Sequence, residues 1–219
     1  MITTLLWCCP LCGADDSLRA RRQPLRPQTL SCQSCGARWR VRRVPGQDYQ
    51  LRVIAGSTQE VGLELPLAAW YARLKANLTL VPRPFAIPSP LAGEEAYAGD
   101  AKVRLVVRRS TPLPPLGKGR EVPEAWPPGL AVPLAWQSAG EGWLYLTNRR
   151  LIWQTPRGGY DFWWPRVRSA FTFLTLYYGI HYGEVAYRFR PPQHRVLKWL
   201  TYTARLAEAE KLPIEVAYH

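Results

Sequence analysis

The chain lacks any apolar run long enough to span a bilayer. The nearest approach, Phe171 to Tyr182, is interrupted by Thr172, Thr175, Gly179 and His181, whereas a spanning helix needs roughly 18 apolar residues. The short apolar stretch from Met1 to Cys8 has no basic start and is too short for a secretory signal. No Gly-x-Ser-x-Gly elbow, P-loop or dinucleotide fingerprint occurs. Histidine is scarce: His181 lies among tyrosines, His194 opens a helical pattern and His219 ends the chain, none in a catalytic neighbourhood. The acidic pairs Asp15-Asp16 and Glu94-Glu95 are side by side and do not make an acid and a base facing each other across a substrate. These absences predict a non-enzymatic cytoplasmic protein with no small-molecule substrate, either free or peripheral to the membrane.

Negative charge is in short supply, with 16 carboxylates against 29 Lys and Arg and a net charge of +13. Such an excess fits an anionic partner, although arginine dominating lysine also follows from a GC-rich coding bias. Position decides more than composition. Between Ser17 and Gln47 stand eight arginines and no acidic residue. Arg19, Arg21, Arg22, Arg38, Arg40 and Arg42 are the anion-binding candidates here, and Arg104 and Arg108 on a later strand join them. A solvated charged face is the competing reading. Single-stranded nucleic acid wants aromatic rings between the cations, and this segment offers only Trp39.

What the chain does have is cysteine in a specific register. Cys9-Pro10-Leu11-Cys12-Gly13 and Cys32-Gln33-Ser34-Cys35-Gly36 are two Cys-x-x-Cys-Gly knuckles with nineteen residues between them. A two-residue gap lets one tight turn present two thiolates, and two such turns complete a tetrahedral set. The arrangement resembles the zinc-ribbon class and predicts one structural zinc on Cys9, Cys12, Cys32 and Cys35. Four sulfurs leave no open position for catalysis. Cys8 has no such register and reads as a spare thiol.

Periodicity sets out the rest. The ribbon, residues 1–54, should hold a strand from Thr3 to Trp7, a basic hairpin, a strand from Ala37 to Val44 and a further strand from Tyr49 to Ile54. Residues 55–90 read as a linker containing a short amphipathic helix, Leu65 to Leu78, and then a proline-rich stretch. Residues 91–212 read as short strands and one final helix, with a proline-rich insertion at about 110–133. Strands are expected at Ala101 to Arg108, on either side of Thr147-Asn148-Arg149, and at Tyr160–Trp164, Ser169–Tyr178 and Val185–Arg190. In the helix, Val196, Trp199, Leu200, Thr203, Leu206 and Ala207 share one face, leaving Arg195, Lys198 and Arg205 on the surface. The fold class is α+β, mainly β.

Gly93-Glu94, then Gly142-x-Leu144-x-Leu146-Thr147-Asn148-x-Arg150-Leu151-Ile152, then a strand ladder and a helix with Trp199 resemble GRAM domains. The resemblance implies a pleckstrin-homology-like fold over about 91–212: a strongly bent antiparallel barrel of about seven strands capped by the C-terminal α-helix, used for lipid or protein binding. The strand at Trp143-Leu144-Tyr145 lacks the basic pair of lipid-binding members. Phe162-Trp163-Trp164 cannot all enter one core on a regular strand, so Trp163 and Trp164 are interface candidates.

The combined expectation is a cytoplasmic adaptor that docks on a protein partner or an anionic membrane surface. Two alternatives stand beside it. One is nucleic-acid binding by the basic ribbon; the other is ubiquitin-type or trafficking adaptor work, by analogy with GLUE domains.

Overall fold

The computed structural model describes residues 2–23, 26–46, 48–56, 59–109, 120–121, 135–173, 176–192 and 195–217. The chain divides into two units, residues 1–79 and 80–219.

Alternation builds the first unit. On β3 (Arg38–Arg43), Trp39 and Val41 are buried while Arg38, Arg40 and Arg42 are exposed. The same alternation on β4 (Tyr49–Ala55) turns Leu51 and Val53 inward and Arg52 outward. With β1 (Leu18–Gln23), β2 (Arg26–Cys32) and β5 (Glu64–Pro66), these strands form a five-stranded antiparallel sheet in sequence order. One face of an alternating sheet must be covered, and α2 (Leu67–Asn77) covers it with Leu67, Trp70 and Leu74. Trp70 meets Trp39 edge to face at 6.1 Å and donates from Nε1 to the Leu51 carbonyl at 3.0 Å. The expected strand at Thr3–Trp7 is instead a single helical turn, α1 (Ile2–Leu5), closed by the Leu6 amide on the Ile2 carbonyl at 2.9 Å. Among the described residues no strand pairs with it; Cys8 makes a lone bridge to Asp15, and the Asp16 amide donates to the Trp7 carbonyl at 2.7 Å.

The second unit is mainly β. In chain order it comprises β6 (Ala96–Arg109), β7 (Arg120–Glu121), β8 (Ala135–Thr147), β9 (Arg150–Thr155), β10 (Gly158–Trp163), β11 (Val167–Phe173), β12 (Tyr177–Tyr182), β13 (Val185–Arg190), α3 (Val196–Glu210) and β14 (Glu215–Ala217). Across the sheet the order is β14-β11-β12-β13-β6-β8-β9-β10-β7. The long β6–β8 pair shifts register at three places, and Lys102 takes a positive φ of 57° inside one of them. Such bulges bend and twist a ladder. Even so, the sheet stays open: the outermost strands β14 and β7 do not pair, and no closed barrel forms among the described residues.

The strand expected over Ser169–Tyr178 is two strands, β11 and β12, and between them the Leu176 amide reaches the Phe173 carbonyl at 3.1 Å. Gly179 then lies opposite Phe171, whose ring occupies the place a Cβ would take. α3 buries the six residues its period predicts, but also Lys198, because Asp100 of β6 waits there. The Asp100 carboxylate accepts from Trp199 Nε1 at 2.9 Å and pairs with Lys198 at 3.4 Å and Arg195 at 3.6 Å. The helix stops at a left-handed cap, Lys211, two residues before Pro213.

The expected linker is divided between the units: α2 packs in the first, and the proline-rich stretch joins the second, where the Arg83 amide bonds the Ala96 carbonyl at 2.8 Å. Apart from Arg120–Glu121, the proline-rich insertion lies outside the described residues. Among the described residues no helix is long and apolar enough to cross a membrane.

Candidate metal centre

The four knuckle cysteines converge. Their sulfurs all lie within 4.8 Å of one another, with Cys9–Cys35 at 3.8 Å and Cys12–Cys32 at 3.7 Å. A tetrahedron with zinc–sulfur bonds of about 2.3 Å has edges of roughly 3.8 Å, whereas a disulfide would need about 2.05 Å. The two knuckles share one construction. The Gly13 amide donates to the Cys9 carbonyl at 2.8 Å and the Gly36 amide to the Cys32 carbonyl at 3.2 Å. Gly13 and Gly36 have φ of 70° and 73°, the left-handed region that glycine enters without strain.

Burial and donors act on the thiols in opposite directions. Burial raises the Cys32 thiol, but the Ser17 hydroxyl at 3.3 Å and the amides of Cys35 and Ser34 outweigh it and bring it down to about 6. At Cys9 and Cys12 burial dominates and pushes the thiols up. Four sulfurs gathered so closely suit one cation, which favours the thiolate form of its ligands. The donor set fits one structural zinc. Cys8 is buried and stands outside the cluster, consistent with the Cys9 register.

The predicted anion-binding arginines are brought together only in part. Arg19, Arg21, Arg38, Arg40 and Arg42 occupy the exposed face of the first sheet. Cross-strand register aligns Arg19, Ser31 and Arg38 in one row and Arg21, Thr29, Arg40 and Arg52 in the next. Arg52 was missed by the sequence reading. Its signal is the alternation of β4, which becomes informative only once the register with β3 is known. Trp39, the one aromatic proposed for stacking, belongs to the opposite, buried face. Arg104 lies in the other unit and pairs with Glu141 at 3.0 Å. The side chains of Arg22 and Arg108 are outside the described set.

In the second unit the motif residues 93–95 and 147–150 form one polar network. Arg150 donates from Nε to Glu94 Oε1 at 2.9 Å, from Nη2 to Glu94 Oε2 at 3.0 Å and from Nη1 to Asp161 Oδ2 at 2.6 Å. Thr147 Oγ1 donates to Glu94 Oε1 at 2.9 Å. The Glu95 amide donates to Asn148 Oδ1 at 2.9 Å, and Asn148 Nδ2 donates to the Gly93 carbonyl at 3.1 Å. Glu94 and Arg150 side chains are 0% and 4% exposed. Burial works against ionisation of Glu94, but Arg150, the Leu91 amide and Thr147 prevail and hold its carboxyl below the ordinary range. This is a structural clamp between the segment before β6 and the β8–β9 turn.

Trp164 is not an interface residue. It is 1% exposed and donates from Nε1 to the Thr147 carbonyl at 2.7 Å. β10 ends at Trp163, and a 3-10 turn over Trp164–Arg166 swings the second tryptophan into the core. Trp163 is half-buried and lies 5.3 Å from the Arg150 guanidinium. Among the described residues the exposed tryptophans are others: Trp143, 50% exposed and stacked on Tyr145, and Trp136, which with Phe173 sandwiches Arg188 at 3.7 and 3.8 Å. That sandwich lines an open cavity of about 610 Å³ with His181, whose Nδ1 is 2.8 Å from Ser169 Oγ. Burial and the nearby Arg188 charge keep the imidazole below its usual pKa. His194 and His219 lie outside the described residues.

No protein family, curated protein or solved structure matches this chain.

Proposed function

We propose that this protein is a non-enzymatic adaptor, a zinc-ordered basic unit joined to a pleckstrin-homology/GRAM-like unit that docks on a protein partner. The observation that carries the reading is the Glu94–Thr147–Arg150 clamp: the residues on which the GRAM resemblance rests are in mutual contact and buried. The run β6, β8 to β13 followed by α3 also agrees with a seven-stranded antiparallel sheet and a terminal helix. A protein partner is favoured over a membrane because Arg104 is neutralised by Glu141, while Trp143 offers an exposed ring of the kind enriched at protein interfaces.

A photo-crosslinking residue in place of Trp143, in the full chain expressed in its native host, tests this. One discrete protein adduct, absent when the label replaces Val61 in the first unit, is expected. Labelling of lipid in place of protein at position 143 would move the docking surface to the membrane.

A further inference from the structure

The exposed face of the first sheet has no part in the docking reading above, and its composition is unusual. Its outward positions on β1 to β4 are occupied by Arg19, Arg21, Arg38, Arg40, Arg42 and Arg52, interleaved with Thr29, Ser31 and Gln50. Every cation on it is arginine. Arg40 and Arg52 are direct cross-strand partners, and like charges directly opposite each other destabilise a ladder. At the edge Arg42 lies 3.6 Å from Glu64 of β5. Arg38, Arg40 and Arg52 have no carboxylate partner among the described residues. A fold that sets these three charges on a solvent face, two of them directly opposite each other and with no carboxylate against them among the described residues, is suited to an external polyanion.

Three features identify which polyanion. First, guanidinium forks match phosphate oxygens bidentately, and hydroxyl and amide side chains between them are the usual further phosphate partners. Second, the face presents no aromatic ring among the described residues, since Trp39 and Trp70 are buried between sheet and helix. Single strands are held by stacking on such rings, so the face suits a duplex whose bases stay paired. Third, its one exposed aliphatic, Ile54 at 37%, gives little apolar surface to enter a bilayer. The rows repeat every ~4.8 Å across the strands and every ~6.8 Å along them, a rigid grid able to meet several phosphates at once.

We propose that this sheet face binds the phosphate backbone of duplex nucleic acid without reading its sequence. Binding is electrostatic and counterion-releasing, and base edges contribute nothing to it.

The test uses the full-length zinc-loaded protein, two short DNA duplexes of unrelated sequence, a single-stranded oligonucleotide, and phosphatidylcholine vesicles containing phosphatidylserine. Fluorescence anisotropy should show equal affinity for the two duplexes, weaker binding to the single strand, and a steep loss with salt. Arg40→Gln with Arg52→Gln should weaken duplex binding about tenfold or more and flatten the log–log salt slope by roughly 1.8, two charges at about 0.9 each. Zinc content and urea midpoint report whether the variant is folded. Should it not fold, Arg38→Gln with Arg42→Gln repeats the measurement on the same face. Unchanged duplex affinity in a folded variant, tighter binding to the single strand, or arginine-dependent binding to vesicles alone would overturn the proposal. The Trp143 crosslink reports on the other unit, so the two readings can fail separately.

Discussion

Arg150 grips Glu94 through two nitrogens, Nε and Nη2, at 2.9 and 3.0 Å across 56 residues of chain. Its third nitrogen, Nη1, is committed to Asp161, and Nη2 also reaches the Ser89 carbonyl at 2.8 Å. With side chains 0–6% exposed, these charges depend on one another.

Removing the central charge should therefore be severe. Arg150→Met is expected to destabilise the second unit by about 3–5 kcal/mol, the usual penalty for leaving buried charge unpaired. Replacing all three groups, Glu94→Gln, Asp161→Asn and Arg150→Met, should recover part of that loss. Urea unfolding followed by tryptophan fluorescence, with the first unit monitored separately by its zinc, measures both.

Acid should act through the same clamp. The folded-state pKa of Glu94 lies below its ordinary 4.5, so its stabilising contribution is complete above that ordinary value and is lost as pH falls through the lower folded value. Wild type should exceed Glu94→Gln in stability by a constant margin from neutrality down to about pH 5, with the margin closing at more acid pH. Paired denaturant titrations across that range check the sign. A margin that widened on acidification would contradict the clamp.

Zinc should be present at one per chain. Cys32→Ser is expected to lose the metal and unfold the first unit, while Cys8→Ser retains both, since Cys8 stands outside the sulfur cluster. Elemental analysis and limited proteolysis distinguish the outcomes. Survival of residues 80–219 as a protected fragment is expected in the chelated wild type.

Gly179→Ala should destabilise β12 out of proportion to one methyl group, because the Phe171 ring fills the space of the new Cβ. Overpacking of this kind amounts to about 1–3 kcal/mol. Phe171→Leu in the same chain should remove most of the penalty, an interaction energy that a double-mutant cycle reads directly.

Much of this architecture was legible because period and spacing are local signals. The knuckles announce themselves within five residues each, the alternation of Trp39 and Val41 with arginines marks β3, and the six-residue apolar stripe marks α3. What escaped was set by partners far away in sequence. Trp164 looked exposed because a strand was assumed to continue through it; the 3-10 turn that redirects it is a feature of three residues. Lys198 looked like a surface cation because Asp100 lies 98 residues earlier. Arg52 carried no signal until register set it opposite Arg40. The open sheet in place of a barrel depends on how β14 and β7 end the ladder, and strands of three and two residues have almost no pattern to read.

Asp100 has one more implication, for how the two ends of the unit are joined. Asp100 is 7% exposed in β6, and the described groups that offset its charge, Arg195 and Lys198, with the indole N–H of Trp199 as a hydrogen-bond donor, all belong to the start of α3. The acid and its counter-charges therefore stand nearly a hundred residues apart along the chain. The last helix is thus a latch on the folded sheet: it carries the charges that offset Asp100, so strand and counter-charges meet only when both ends of the unit are in place.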